Sequence, residues 1–280
     1  MKAPSVGIVG VGLIGGSIAL AALRAGYRVC LYDGLASEKL TLTKFRAATI
    51  AGDLEELALQ SELIILATPI AALATVGPAL GELVRPGHVV SDVASVKQPV
   101  AVALAKALRN RCDYVPAHPM AGSEKSGAEA ARHDLFAGAV TLICPELSSD
   151  PASVQLVKVF WENLGTRVVL ASVSAHDQMV AAMSHLPHLL AALLVRHVAE
   201  TNRVALELCG PGFRDATRIA SGAPELWADI LLSNADVLKQ HLLAFKDLLD
   251  EAVTLLSEKD AKKLQALLDD AKENRDRLSP

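Results

Sequence analysis

The sequence predicts an α/β fold in two parts, a mainly parallel, doubly wound sheet over residues 1–172 and an all-helical part over residues 173–280. Three observations predict it. Short β-branched runs alternate with amphipathic segments as far as about residue 170, the pattern of repeated βαβ units. Those runs lack polar alternation, as expected of strands covered on both faces. From about Ser174 onward the strand signals stop and helical periodicity takes over.

The predicted strands are Val6–Val9, Arg28–Tyr32, Leu63–Ala67, His88–Ser91, Tyr114–Pro116, Val140–Cys144 and Val168–Leu170. Between them, Ile14–Ala25, Ala71–Leu83 and Val96–Leu108 have helical spacing and length. In the second part, Val180–Glu200, Asn202–Leu208, Glu225–Asp250 and Ala252–Lys272 read as helices. After Pro187, residues Leu189, Leu190, Leu193, Leu194 and Val198 fall on one apolar stripe. The stretch Glu258–Arg277 mixes charges of both signs and reads as a solvated terminal helix.

Composition excludes several classes. The net charge is −4, no basic block occurs, and only ten residues are aromatic. A duplex-tracking surface or a base-stacking platform needs the opposite, so nucleic acid is not an expected partner. Cys30, Cys112, Cys144 and Cys209 are widely spaced, with no CxxC pair, and read as buried thiols in a reducing compartment. The uncharged run Val6–Leu23 holds five glycines, and Leu63–Gly81 is broken by Pro69 and Pro78. Neither reads as a membrane span, and a soluble cytoplasmic protein is expected.

Gly10-Val11-Gly12-Leu13-Ile14-Gly15 is a GxGxxG between the first strand and the first helix. Gly10 allows the tight turn, Gly12 lets the backbone approach a pyrophosphate, and Gly15 permits close helix–strand packing. The helix N-terminus then offers N–H groups and partial positive charge to phosphate. The second strand ends in Asp33, placed to accept hydrogen bonds from a ribose and to repel a 2′-phosphate. The pattern reads as a Rossmann-type dinucleotide site for NAD, with Gly10, Gly12, Leu13, Ile14, Gly15 and Asp33 as its candidate residues; a structural glycine turn with a surface aspartate is the plain alternative.

In such a sheet ligands bind beyond the carboxyl ends of the strands. Two polar segments follow predicted strands there, 91–97 with Ser95 and 118–125 with His118. His118 is expected on a loop, where a base can take a hydroxyl proton as hydride leaves the same carbon. A buried structural histidine is the plain alternative. In the helical part, Ser184 and His188 stand one turn apart beside Pro187, which opens or kinks the helix. His185 and His188 have HxxH spacing, but no third ligand accompanies them, so no metal is expected. Arg214 and Arg218 suit carboxylate recognition; surface pairing with Asp215 or Glu225 is the alternative.

Taken together, GIVGVGLIGGS at 7–17, DVASVK at 92–97, HPMAGSEKSG at 118–127, SHLPH at 184–188 and GFRDATRIA at 212–220 resemble the prephenate/arogenate dehydrogenases of tyrosine biosynthesis. The matches keep the family's order over roughly residues 5–230. The resemblance implies a Rossmann-type domain followed by an all-helical dimerisation domain, hence a homodimer. It implies NAD-dependent oxidative decarboxylation of prephenate to 4-hydroxyphenylpyruvate, with arogenate as a possible second substrate. His118 would take the ring hydroxyl proton and Ser95 would bond at that hydroxyl and help hold His118. Arg218 would bind the ring carboxylate, and His188 the pyruvyl side chain, with Ser184 beside it. Pro116-Ala117 and Pro211 stand where the family often has glycine. A β-hydroxyacid dehydrogenase shares the outline but uses a lysine in a glycine-rich motif not found here. A non-catalytic NAD-binding sensor would not need His118, Ser95, His188 and Arg218 together.

Overall fold

The computed structural model describes residues 4–34, 43–108, 111–123, 125–148 and 150–278; Glu124 of the HPMAGSEKSG motif lies outside the described residues. Six parallel strands form the main sheet: β1 (Ser5–Val9), β2 (Arg28–Tyr32), β3 (Thr49–Ile50), β4 (Leu63–Leu66), β5 (Val89–Asp92) and β6 (Asp113–Tyr114). Their spatial order is β3-β2-β1-β4-β5-β6, so the order reverses beside β1. Side chains alternate between two cores. Val6, Ile8, Leu63 and Ile65 enter one, while Val9, Ile64, Leu66 and Val90 enter the other. Both faces are therefore buried, which is why the strands read as unbroken apolar runs.

The helices between these strands are α1 (Leu13–Arg24), α2 (Leu54–Leu59), α3 (Ile70–Leu83) and α4 (Gln98–Leu108). Asp53 caps α2 by accepting from Glu56 N–H at 2.8 Å. All four cysteines are free.

A second sheet departs from the expected single one. It contains β7 (Ala117–Pro119), β8 (Val140–Ile143) and β9 (Arg167–Leu170), with β7 antiparallel and β9 parallel to β8. The expected strand Tyr114–Pro116 stops at Tyr114, because Pro116 has no N–H to give a ladder. The chain changes sheet there, and His118 falls in the middle of β7 instead of on a loop. Helix α5 (Pro151–Asn163), capped by Asp150, carries the chain from β8 to β9. Its Phe160 and Trp161 pack edge-on against Tyr27 and Phe136.

No strand follows β9 among the described residues. Helix α6 (Val173–Val180) continues through a π turn (Ala181–His185) into α7 (Leu186–Thr201). The helix thus begins earlier than the expected Val180, at a Ser172 cap that accepts from Ala175 N–H at 3.1 Å. Then come α8 (Arg203–Glu207), α9 (Pro211–Thr217), a 3₁₀ turn (Arg218–Ser221) and α10 (Pro224–Ser233). The run Val173–Thr201 is long and apolar enough to cross a membrane by length and composition. Its buried His176, Asp177 and His185 nevertheless find protein hydrogen-bond partners, as in a core helix.

By compactness the chain divides into Met1–Asn234 and Ala235–Pro280, later than the expected boundary at 172/173. The reason is that α6 packs on α4 and α10 on α3, tying residues 173–234 to the sheet domain. The second unit is a helical hairpin of α11 (Ala235–Glu258) and α12 (Ala261–Asp276). The two expected helices there shift their break. Asn234 interrupts Glu225–Asp250, whereas nothing stops α11 before Lys259, which turns the chain at φ 54°. Helix α12 has no buried residue, consistent with its dense charge.

Candidate active site

The carboxyl ends of β1, β2 and β4 meet at the glycine loop. Gly10 N–H donates to Tyr32 O at 2.9 Å and Ala67 N–H to Val9 O at 2.8 Å. Gly10 has φ +91°, and a Cβ there would stand 2.8 Å from Ala67 O. A Cβ on Gly15 would stand 1.9 Å from Gly10 O, so that glycine lets α1 start against the loop. Gly12 differs: nothing lies within 4 Å of its Cβ position, and no side chain caps α1. The loop is closed by protein at Gly10 and Gly15 and open at Gly12, leaving the first N–H groups of α1 for a phosphate. Leu13 and Ile14 open α1 itself. Asp33 follows β2, and its Oδ2 accepts from Val11 N–H at 2.8 Å, which holds the carboxylate beside the loop.

The β5–α4 loop is fixed from below by buried charge. Asp92 Oδ1 accepts from Lys97 Nζ at 2.5 Å and from Ala94 N–H at 2.9 Å, and its Oδ2 accepts from Tyr114 OH at 2.7 Å. Lys97 and Asp92 are both fully buried, a pair costly to break from either side. Burial and then the Asp92 carboxylate push the Tyr114 phenol well above its usual value, so it remains a donor. Ser95 sits half-buried on this loop.

His118 projects from β7 into a set of polar groups supplied by α6. Its Nδ1 lies 2.8 Å from His176 Nε2, and His176 Nδ1 lies 2.7 Å from Asp177 Oδ1. Asp177 also accepts from Lys97 N–H and Gln98 N–H, each at 2.8 Å, at the start of α4. Burial raises the Asp177 carboxyl, but its hydrogen bonds from His176, Lys97 and Gln98 outweigh this and hold it below the usual range. Burial, then the neighbouring His176, Lys97 and His185, push the His118 imidazole well below 6.5. Burial also lowers His176, against the pull of Asp177. The imidazole of His118 is thus neutral at neutral pH.

A second group of residues comes from the π turn, α7 and α10. Asn234 Nδ2 donates to Asp177 O at 2.9 Å and lies 3.3 Å from His185 Nδ1. His185 meets Trp227 edge-on, and His188 stacks on the same indole with centroids 3.5 Å apart. His188 Nδ1 is buried without a hydrogen-bond partner. Ser184 is half-buried in the π turn. Arg218 is exposed on the 3₁₀ turn that packs against α7. Among the described residues neither Arg214 nor Arg218 forms an ion pair with Asp215 or Glu225.

The structure therefore links His118 to His185 and His188 through His176, Asp177, Asn234 and Trp227, four residues that sequence reasoning missed. A signal was present for two of them. Val173, His176, Asp177, Val180 and Ala181 occupy the buried face of the helix, so a His-Asp pair stands where apolar residues belong. Among the described residues no group of three or more His, Cys, Asp or Glu side chains could hold a metal ion.

Residues 18–170 match the family model described as prephenate dehydrogenase, nucleotide-binding domain, and residues 172–270 the one described as prephenate dehydrogenase, dimerization domain. The prephenate dehydrogenase of Bacillus subtilis is 34% identical over 285 residues, covering 97% of this chain and 75% of its own. The cyclohexadienyl dehydrogenase of Zymomonas mobilis is 31% identical over 243 residues, covering 83% and 82%. Among solved structures, prephenate dehydrogenase from Aquifex aeolicus in complex with hydroxyphenyl propionate and NAD+ superposes with a TM-score of 0.90 at 29% identity, over 99% of this chain and 98% of that one.

Proposed function

The chain belongs to the prephenate dehydrogenase family, and from that premise we propose how its residues divide the work of NAD-dependent oxidative decarboxylation of prephenate to 4-hydroxyphenylpyruvate in tyrosine biosynthesis. His118 is the base. The observation that carries this reading is a buried imidazole kept unprotonated by burial and by His176, Lys97 and His185. Its free nitrogen takes the proton of the ring hydroxyl, breaking O–H and forming N–H. NAD, when bound, supplies the hydride acceptor. The resulting ketone is conjugated to the carbon that bears the ring carboxylate. The C–C bond electrons then flow into the ring as CO₂ leaves, and His118 returns its proton to the phenolate oxygen.

Gly10, Gly12, Leu13, Ile14 and Gly15 hold the NAD pyrophosphate against α1, and Asp33 accepts from the ribose and disfavours a 2′-phosphate. The open Cβ position at Gly12, between two closed ones, supports this fit. Ser95 bonds at the substrate hydroxyl. Arg218, exposed and without an acidic partner among the described residues, binds the ring carboxylate. His188 donates to the pyruvyl carbonyl, and its unpartnered Nδ1 supports that role and the choice of prephenate. Ser184 lines the same site from the π turn.

The functional division falls at 172/173, and the protein acts as a cytoplasmic homodimer through the helical part. Exposed Leu193 and Leu194 on α7, and Leu248, Leu249 and Val253 on α11, supply apolar surface for such an interface.

His118→Asn tests the reading. Turnover should fall by at least about 10² while NAD affinity, measured by fluorescence titration, stays within about twofold. Unchanged turnover removes His118 from the mechanism.

A further inference from the structure

Which nitrogen of His118 faces the substrate is a separate question from whether His118 is the base. A neutral imidazole has one N–H and one lone pair, and only the lone pair can take a proton. We infer that His176 and Asp177 are a positioning pair that locks His118 in the tautomer with the lone pair on Nε2. The inference rests on His118 being the base.

The argument runs outward from Asp177. An ionised carboxylate only accepts, and Asp177 is ionised because three donors converge on it. The nitrogen 2.7 Å away, His176 Nδ1, therefore carries hydrogen. If His176 is neutral, its Nε2 can only accept, and the contact at 2.8 Å requires His118 Nδ1 to donate. That leaves the lone pair on His118 Nε2. A doubly protonated His176 would reverse the result, making His118 Nδ1 the acceptor and placing its hydrogen on Nε2. Full burial and the nearby Lys97 cation oppose that state, with Asp177 acting against them. The surrounding groups are accounted for: Lys97 is paired with Asp92, and His185 has the Asn234 amide beside its Nδ1.

The lock is rigid because Asp177 serves two elements at once. Its two oxygens accept from Lys97 N–H and Gln98 N–H at the first turn of α4, so the carboxylate cannot rotate away without uncapping that helix. When Nε2 takes the hydroxyl proton, His118 Nδ1–H goes on donating to His176 Nε2, and the Asp177 carboxylate beyond it stabilises the new imidazolium without itself taking a proton. In serine-protease triads, changing the orienting carboxylate to an amide favours the wrong tautomer and costs about 10⁴ in kcat.

The test combines a spectrum with kinetics. In protein carrying ¹⁵N-labelled histidine rings, His118 should show a protonated Nδ1 and an unprotonated Nε2 at neutral pH. His176→Gln retains a carbonyl acceptor for the Nδ1–H, whereas His176→Leu has none. The Gln variant should turn over at least about tenfold faster than the Leu variant, with the prephenate KM of both within about threefold of the parent. A His118 ring protonated at Nε2 overturns the inference, as does a Leu variant as fast as the Gln variant. Should both variants fail to fold, the spectrum of the unsubstituted protein decides. A fully active His118→Asn enzyme would instead defeat the base assignment. An inactive His118→Asn enzyme, together with a His118 ring protonated at Nε2 in the unsubstituted protein, would defeat only the lock.

Discussion

His188 lies flat on Trp227, with ring planes 12° apart and centroids 3.5 Å apart. Gly222 closes over this stack: a Cβ there would stand 2.4 Å from Trp227 Nε1 and 3.3 Å from His188 Cε1. His185 meets the same indole edge-on, so Trp227 touches both histidines. Gly222→Ala should therefore tilt the stack and misplace His188. The expected outcome is a prephenate KM raised by about tenfold or more with the NAD KM unchanged. Equal KM values for parent and variant would detach the stack from substrate binding.

Arg218 is presented on a 3₁₀ turn without an acidic partner among the described residues, so removing its charge breaks no ion pair seen in the fold. Arg218→Gln should leave the melting temperature within about 1 °C, since surface changes away from special features stay within about 0.5 kcal/mol. The prephenate KM should rise at least about tenfold, as expected for loss of a charge-assisted carboxylate contact. An unaltered KM contradicts the assignment.

Asp33 Oδ2 holds Val11 N–H beside the glycine loop, and the proposed role of its carboxylate is to accept from the ribose. Asp33→Ser keeps a short acceptor but removes the negative charge. The ratio of kcat/KM for NADP to that for NAD should rise by about tenfold or more. A constant ratio would move cofactor selection to another residue.

His185 makes stability depend on pH. Burial, partly offset by Asp177 and reinforced by His176 and His188, lowers it from 6.5 to about 4. Between those values the unfolded chain binds a proton that the fold does not, so stability is full above 6.5 and falls as pH drops toward 4. From pH 7 to pH 5 this group alone removes about 2 kcal/mol. Urea unfolding at the two pH values should show a smaller loss in His185→Gln than in the parent. Identical losses would exclude His185 as a source.

The parts legible in the sequence were those written locally. The glycine loop, Asp33 and the crossover helices each lie within a few dozen residues and obey period or spacing rules. What escaped was set by distance along the chain or by brevity. His118 and His176 meet across 58 positions, and no local pattern joins them. Thr49–Ile50 and Ala117–Pro119 are strands of two and three residues, too short to show alternation. Asn234 looks like an interior helix residue until its amide is seen turned onto Asp177 and His185.

The π turn at 181–185 sets the angular phase of the whole polar helix. His176 and His188 are twelve positions apart, which in an uninterrupted α-helix of 3.6 residues per turn leaves them about 120° apart in azimuth. A π turn absorbs about one residue, which brings the offset to about 20°. His176, proposed to orient the base, and His188, proposed to meet the substrate side chain, then look the same way. Straightening the π turn into regular α-helix with no residue removed would turn His188 away by about a quarter of a revolution, with every functional side chain still present. The spacing between the motifs is thus as much a part of this enzyme's chemistry as the motifs themselves.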